Sequence, residues 1–252
     1  MSQSVGRKWQ RILEGKRYAP AGDTGFLKRF RGSPYIRIVL RYAQLKPESS
    51  ILEPGCGSGK FSLVLASLGH HVIALDYVSD ILRTVRETER GLGQDWPWRL
   101  RGYCNGDLEN LPLSDDSFDL VINEGVVEHW LNDAQRMNVL REMVRVTRPL
   151  GVVAVIVPNG AHPLVHRWES CASGCLQAPP MTPYSAGRLE KELIQAGLQD
   201  VYVEGIYAWR SWVRLPPWDR LYPGAALLDH LIPLPRALNE KWAINVIGLG
   251  RK

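Results

Sequence analysis

The sequence lacks several features that would assign it to a class at once. Its four cysteines, Cys56, Cys104, Cys171 and Cys175, are too few for a disulfide framework in a chain of 252 residues. Cys56 falls in a glycine turn and Cys104 in an expected strand. Cys171 and Cys175 are four apart, a spacing that one helix turn brings together, but no second Cys/His pair accompanies them, so no metal is assigned. The longest apolar run, 152–157, is far too short to cross a bilayer. The first ten residues are charged and hold no apolar core, so no secretory signal is read, and the cytoplasm is the expected compartment. Internal repeats and low-complexity segments are absent. What remains is the composition of an ordinary globular domain, 45% hydrophobic and 23% charged. The net charge of +5, from 31 basic and 26 acidic residues, suits anionic substrates or weak nucleic-acid contact and demands neither.

The chain is organised around Ile51-Leu52-Glu53-Pro54-Gly55-Cys56-Gly57-Ser58-Gly59-Lys60-Phe61. Two apolar residues lead into an acid, three glycines follow at alternate positions, and apolar periodicity resumes at Phe61. This reads as strand, tight turn and helix. Glycine there admits positive φ and close approach of a ligand to the main chain, and helix N-terminal amides point at whatever lies over the turn. A dinucleotide fold wants G-x-G-x-x-G, and Lys60 stands where its third glycine belongs. An NAD-dependent oxidoreductase therefore remains only as an alternative.

The observed E-x-G-x-G-x-G resembles motif I of the class I S-adenosylmethionine-dependent methyltransferases. Downstream segments extend the resemblance. Gly106-Asp107-Leu108-Glu109-Asn110-Leu111-Pro112 is similar to the family's G-D-x-x-x-L-P segment, and Asp115-Asp116-Ser117-Phe118-Asp119-Leu120-Val121 to its D-x-S-F-D-L-V run. Asp76 closes a short apolar strand about twenty residues after the turn, where an acid can accept both hydroxyls of a ribose.

The resemblance implies an α/β fold: a Rossmann-like, doubly wound, seven-stranded and mostly parallel sheet of order 3-2-1-4-5-7-6, with the seventh strand antiparallel. Residues 1–252 are expected as one domain, with an N-terminal helical cap (1–48), a core (49–206 and 241–252), an acceptor-side loop (158–187) and an aromatic-rich helical insertion (207–240). Ser33-Pro34 should open a helix reaching about Gln44, and Gly22 to Gly25 a turn. Ser79 should cap the helix after the second strand, and Asn132 or Asp133 a helix burying Met137, Leu140, Met143 and Val144. Strands are expected at 50–53, 71–76, 98–104, 120–123, 152–157, 201–206 and 242–249. Leu150 replaces a glycine of the usual L-x-P-G-G, which implies a slightly different turn.

The implied cofactor is S-adenosylmethionine, leaving as S-adenosylhomocysteine. Its expected contacts are Glu53, Gly55, Cys56, Gly57, Gly59, Asp76, Tyr77, Asp107, Leu108, Asn123 and Glu124. By resemblance the Asp107 carboxylate accepts from the adenine amino group, the Leu108 amide donates to a ring nitrogen, and the Asn123 carbonyl faces the cationic amino group. Tyr77 either packs on the adenine or faces solvent. Some quinone-precursor O-methyltransferases hold a divalent metal with E-x-x-E-H. Here Glu124 and Glu128 are one position too far apart for that, so the metal is not expected. Acceptor contacts are sought in Glu128, Trp130, His162 and Tyr184, and a general base in His129 first and His166 second. A structural role for His129, bonded to backbone, stays open.

The acceptor is expected to be a small molecule, aromatic or acidic, since Trp209, Trp212, Trp218 and Tyr222 stand among Arg210, Arg214 and Arg220. That segment also leaves open plain helical packing, a dimer face (monomer and homodimer are both allowed), a membrane-surface patch and contact with single-stranded nucleic acid. Nucleic acid is disfavoured, because no (N/D)-P-P-(Y/F) follows the fourth strand. A protein that binds the cofactor without catalysis is the second alternative.

Overall fold

Continuous apolar runs alternate with amphipathic ones along this chain, and the computed structural model turns that alternation into a sheet covered by helices on both faces. It describes residues 5–13, 21–96, 98–162, 180–208 and 234–252. The strands are β1 (Ser50–Pro54), β2 (His71–Asp76), β3 (Gly102–Asn105), β4 (Phe118–Glu124), β5 (Thr147–Pro158), β6 (Gln199–Ile206) and β7 (Asn245–Arg251). They form one seven-stranded sheet of order β3-β2-β1-β4-β5-β7-β6. All neighbours are parallel except β7, which inserts antiparallel between β5 and β6. This is the expected architecture. Ile51, Leu52, Val121, Ile122 and Val153 to Val157 are wholly buried because both sheet faces are covered, which is why these strands read as unbroken apolar runs.

The helices are α1 (Val5–Leu13), α2 (Thr24–Arg31), α3 (Pro34–Ala43), α4 (Lys60–Ala66), α5 (Ser79–Gly91), α6 (Asp133–Val146), α7 (Ala186–Gln195) and α8 (Arg236–Trp242). Several ends are fixed by side chains. Ser33 Oγ accepts from the Ile36 amide ahead of Pro34, Asn132 from Gln135, and Ser185 from Arg188. At Gly22–Gly25 the expected turn is instead a helix start. Asp23 Oδ1 accepts from the Phe26 amide at 2.7 Å and opens α2. Ser79 does not cap α5. Val78 holds the cap position, and its amide donates to Asp76 Oδ1 at 3.0 Å. β3 is shorter than expected. β7 starts later, because Trp242 ends α8. On α6 the buried face is Arg136, Val139, Leu140, Met143 and Val146, with Met137 and Val144 only partly covered. Leu150 takes φ 65° in a left-handed turn that elsewhere favours glycine, and its side chain is exposed.

Two large buried clusters result, one on each sheet face, and a smaller third sets α5 against β2 through Ala74, Ile81, Leu82 and Val85. One joins α2, α3 and α4 to the sheet through Leu27, Ile36, Val39, Phe61 and Leu65; the other packs α6 and α7 on it through Leu140, Met143 and Leu189. β1 lies between β2 and β4, and chain order reverses there. The crevice beyond the carboxyl ends of β1 and β4 is where such sheets bind ligands.

Candidate active site

The turn after β1 is shaped by what a side chain would strike. Gly55 has φ 72°, and a Cβ on it would lie 2.8 Å from Val126 Cγ2. The Gly55 and Cys56 amides donate to the Leu75 carbonyl at 2.8 and 2.9 Å, which ties the turn to β2. Gly59 has φ 75°, and a Cβ there would come within 2.6 Å of Val85 Cγ1, so this glycine lets α4 start against α5 and does not line the crevice.

Three carboxylates surround the crevice. Asp76, buried at the end of β2, accepts from the Gly57 amide at 3.2 Å and from the Val78 amide at 3.0 Å. Burial pushes its pKa up to about 6 although those amides favour the charged form. Glu53 accepts from the Ser62 amide at 2.8 Å and from the Ser62 hydroxyl. Burial raises it to about 8, with Lys60 and the Ser62 bonds opposing and Glu124 assisting. Glu124, at the end of β4, pairs with the Lys60 ammonium. That ammonium also lies 5.4 Å from the Phe30 ring centroid and 5.7 Å from that of Phe61.

Above this floor sits the N-terminal helix. Val5, Gly6 and Trp9 of α1 line the same crevice as Tyr77, Ile81, Leu108, Val126, His129 and Trp130. Gly6 rests on the Tyr77 ring so closely that a Cβ would fall 2.3 Å from Tyr77 Cγ. The Trp9 and His129 rings meet edge to face with centroids 5.1 Å apart.

His129 ends a short 3₁₀ turn, Val127–His129. Burial pushes its pKa down to about 4, partly offset by the backbone of Gly125, and its Nδ1 has no hydrogen-bond partner. Beneath it Glu128 is buried with Oε2 unpartnered, and burial raises its pKa to about 8. The Glu128 carbonyl accepts from the Thr182 amide at 2.7 Å. Trp130 is pinned at both ends: Nε1 donates to Glu109 Oε1 at 2.7 Å, and its carbonyl accepts from Arg136 Nη1 at 2.7 Å. Arg136 is itself fully buried and bonded to Glu192 and Asp133.

The structure thus brings Glu53, Gly55, Cys56, Gly57, Asp76, Tyr77, Leu108, Glu124, His129 and Trp130 to one crevice. It places other expected contacts elsewhere. Asp107 folds onto its own loop, accepting from the Glu109 amide at 3.0 Å. The expected Asn123 contact is its carbonyl, next to Glu124, which lines the crevice; the Asn123 side chain is buried, with Nδ2 donating to Met143 Sδ. Tyr184 is buried, and its hydroxyl donates to Glu192 Oε2 at 2.5 Å, which makes it part of the Arg136 network. His162 is buried edge to face with Trp242, its centroid 5.8 Å away, and does not line the crevice. His166, Cys171, Cys175 and the Trp/Arg cluster from Trp209 to Tyr222 lie outside the described residues. Missed by sequence reasoning were the cap residues that line the crevice, Val5, Gly6 and Trp9, and Lys60, noted only as an absent glycine. Among the described residues no group of three or more His, Cys, Asp or Glu is arranged to hold a metal, and no helix is long and apolar enough to cross a membrane.

The residues present fit an adenosyl sulfonium. A β2-end carboxylate faces the crevice for a diol, apolar Ile81 and Leu108 suit a purine, and buried acid lacking a full counter-charge, Glu53 above all, suits a cationic amino acid end.

Comparison with known proteins agrees. Residues 52–155 match the model of the family described as "Methyltransferase domain". A malonyl-[acyl-carrier protein] O-methyltransferase of Pectobacterium atrosepticum is 32% identical over 128 residues, 51% of this chain and 44% of that protein. A second, from Erwinia billingiae, is 32% identical over 130 residues, covering 51% of this chain and 47% of that one. The chain thus spans about half the length of these curated relatives. Among solved structures, phosphoethanolamine N-methyltransferase 2 of Haemonchus contortus, in complex with S-adenosyl-L-methionine, superimposes with TM-score 0.63 at 16% identity over all of this chain and 60% of its own. At that identity the likeness speaks for the fold alone.

Proposed function

We propose, from the premise that residues 52–155 are a class I S-adenosylmethionine-dependent methyltransferase domain, that this chain transfers methyl from S-adenosylmethionine to a small-molecule acceptor. The observation that carries the reading is the crevice itself, where Asp76, Glu53 and Glu124 converge on a glycine turn whose Gly55 admits no side chain. When bound, the cofactor supplies a methyl group on a positively charged sulfur.

This chain's residues do the rest. Asp76 accepts from the ribose hydroxyls while the Gly57 and Val78 amides hold it in place. Glu53 and Glu124 hold the cationic amino acid end. Contact with that cation draws Glu53 from about 8 toward its ionised form, so binding releases a proton near neutral pH. The α1 helix covers the crevice and excludes water.

For the acceptor we favour a carboxylate. A histidine acting as general base is usually oriented by a second group on its other nitrogen. Among the described residues no carboxylate does this for His129, which has only the Gly125 backbone, and burial leaves the ring a weak base. A carboxylate is already ionised at pH 7 and needs no proton removed. Its oxygen lone pair forms the bond to the methyl carbon as the carbon–sulfur bond breaks. Neutral His129 then serves as a contact that orients the acceptor beside Trp9 and Trp130. The relatives named as acting on a malonyl group support the same class. The work is placed in the cytoplasm.

The test is release of S-adenosylhomocysteine by the purified chain with malonyl thioesters, other dicarboxylic half-thioesters, catechols and primary amines. Methyl ester formation supports the reading. Turnover confined to amines or catechols would replace the carboxylate, and S-adenosylmethionine binding without any turnover would favour a non-catalytic binding protein.

A further inference from the structure

The crevice carries charge of both signs, unequally. Among the described residues that line it, Glu53, Asp76 and Glu124 are acids, and Lys60 is the one cation at neutral pH, since burial keeps His129 neutral. Lys60 opens α4 directly after the glycine turn. Its ammonium pairs with Glu124 at the end of β4, and the two side chains are only 27% and 21% exposed. The Phe30 and Phe61 rings lie under the same ammonium, with centroids 5.4 and 5.7 Å away, and meet each other edge to face. Glu53 is near enough to feel both charges of the pair. An ammonium has three N–H donors. The rings take none of them in a conventional hydrogen bond, and Glu124 is the one oxygen partner among the described residues. A donor is therefore left for a second oxyanion.

Stability alone does not call for this charge. Replacing a largely buried ion pair by apolar residues is often neutral, and an apolar side chain at position 60 would cover Phe30 and Phe61 without desolvating an ion. A ligand does call for it. The amino acid end of S-adenosylmethionine is a zwitterion, and the acids of the floor answer only its ammonium. The bond from Lys60 to the Glu124 carboxylate shows that a carboxylate can sit against this ammonium inside the crevice. We infer that Lys60 holds the carboxylate of the cofactor while Glu124 takes its ammonium, so that the ion pair opens into a ring of four alternating charges and the crevice selects a ligand that carries both. The inference rests on the methyl-transfer reading of the crevice and adds which side chain reads the carboxylate. It also gives Phe30 a part: the ring ties the cation that reads the cofactor to helix α2 of the cap.

The test is calorimetric titration with S-adenosylmethionine and with its decarboxylated analogue, which keeps the adenosine, the sulfonium and the ammonium and lacks only the carboxylate. Wild type is compared with Lys60→Met and, as the milder change, Lys60→Gln. Wild type should bind S-adenosylmethionine about thirtyfold more tightly than the analogue, the range of a hydrogen bond between charged groups. Lys60→Met should bring the two within about threefold by weakening S-adenosylmethionine alone, while the analogue binds as before or more tightly because Glu124 is freed for its ammonium. Lys60→Gln should do the same in smaller measure. The ratio of two affinities within one protein does not depend on how much of the sample is folded, so a destabilised variant still reports, and the glutamine variant serves where the methionine one does not fold. Equal affinity of wild type for the two compounds overturns the inference, as does full discrimination kept by both variants. Either result leaves the cofactor reading standing, since S-adenosylmethionine still binds. Binding of neither compound by folded wild type would overturn both.

Discussion

The floor and the roof of the crevice are built by opposite rules. The floor is local and apolar-backed: a short run from Glu53 to Lys60 and two strand ends, Asp76 and Glu124, each fixed by backbone amides, an ion pair or a Cβ clash. The roof is assembled across the chain. Gly6 meets Tyr77 and Trp9 meets His129, and its outer surface is cationic. The contrast teaches that cofactor recognition is written where a few residues must share one turn, whereas acceptor recognition depends on pieces brought together by the whole fold.

The largest expected effect is on the support of the floor. Arg136→Met takes from Glu192 its buried partner, leaving it to Arg188 and Tyr184, and takes from the Trp130 carbonyl its shorter hydrogen bond, so urea unfolding should show a loss of about 3 kcal/mol. A loss under about 1 kcal/mol would mean that the turn carrying Glu128 and His129 is held some other way. Next comes Asp76→Ala. Removing an acceptor for two ribose hydroxyls should weaken S-adenosylmethionine by about a hundredfold in calorimetry, with the circular dichroism of a folded chain retained. Unchanged affinity would take the diol site away from β2. His129→Ala sharpens the division between floor and roof. Turnover should fall about tenfold while cofactor affinity stays within about twofold, and the wild-type rate at saturating cofactor should be flat from pH 6 to 8, because the ring titrates only near 4. A rate that follows a group near pH 6.5 would restore His129 as a general base.

The last prediction concerns the pH dependence of stability at Glu128. Burial raises its folded pKa above the unfolded value, so the folded chain binds the proton more tightly. Its contribution to stability is therefore complete below about pH 4.5 and is lost as pH rises through about 8. Glu53 adds a slope of the same sign. Glu128→Gln should flatten part of the fall in melting temperature between pH 5 and 9. An unaltered slope would show that Glu128 is ionised in the folded chain.

Much of the fold was legible, because strands buried on both faces leave unmistakable apolar runs and Ser33-Pro34 and Asn132 carry their own cap chemistry. The start of α2 was hidden by Gly22 and Gly25, which look like a turn although Asp23 caps a helix between them. In the site, Glu53, Gly55, Gly57, Asp76 and Glu124 were legible as a motif with a strand end at the right spacing. Asp107 matched a motif, and one oxygen of its carboxylate accepts from the Glu109 amide of its own turn. Tyr184 and His162 were drawn in as polar aromatics near an irregular segment, and sequence cannot tell such residues from ones that close a buried network, as Tyr184 does with Glu192. Gly6 and Trp9 left no local mark, since their partners Tyr77 and His129 lie far along the chain.

The central claim, that the crevice beyond β1 and β4 is made for an adenosyl sulfonium, is tested most directly by calorimetric titration of the purified chain with S-adenosylmethionine, S-adenosylhomocysteine and NADH in parallel. The account predicts saturable binding of the first two, with proton release near neutral pH as Glu53 ionises for the cationic amino group, and no heat from NADH. Saturable binding of NADH, or none of S-adenosylmethionine by a chain that is folded, would contradict it.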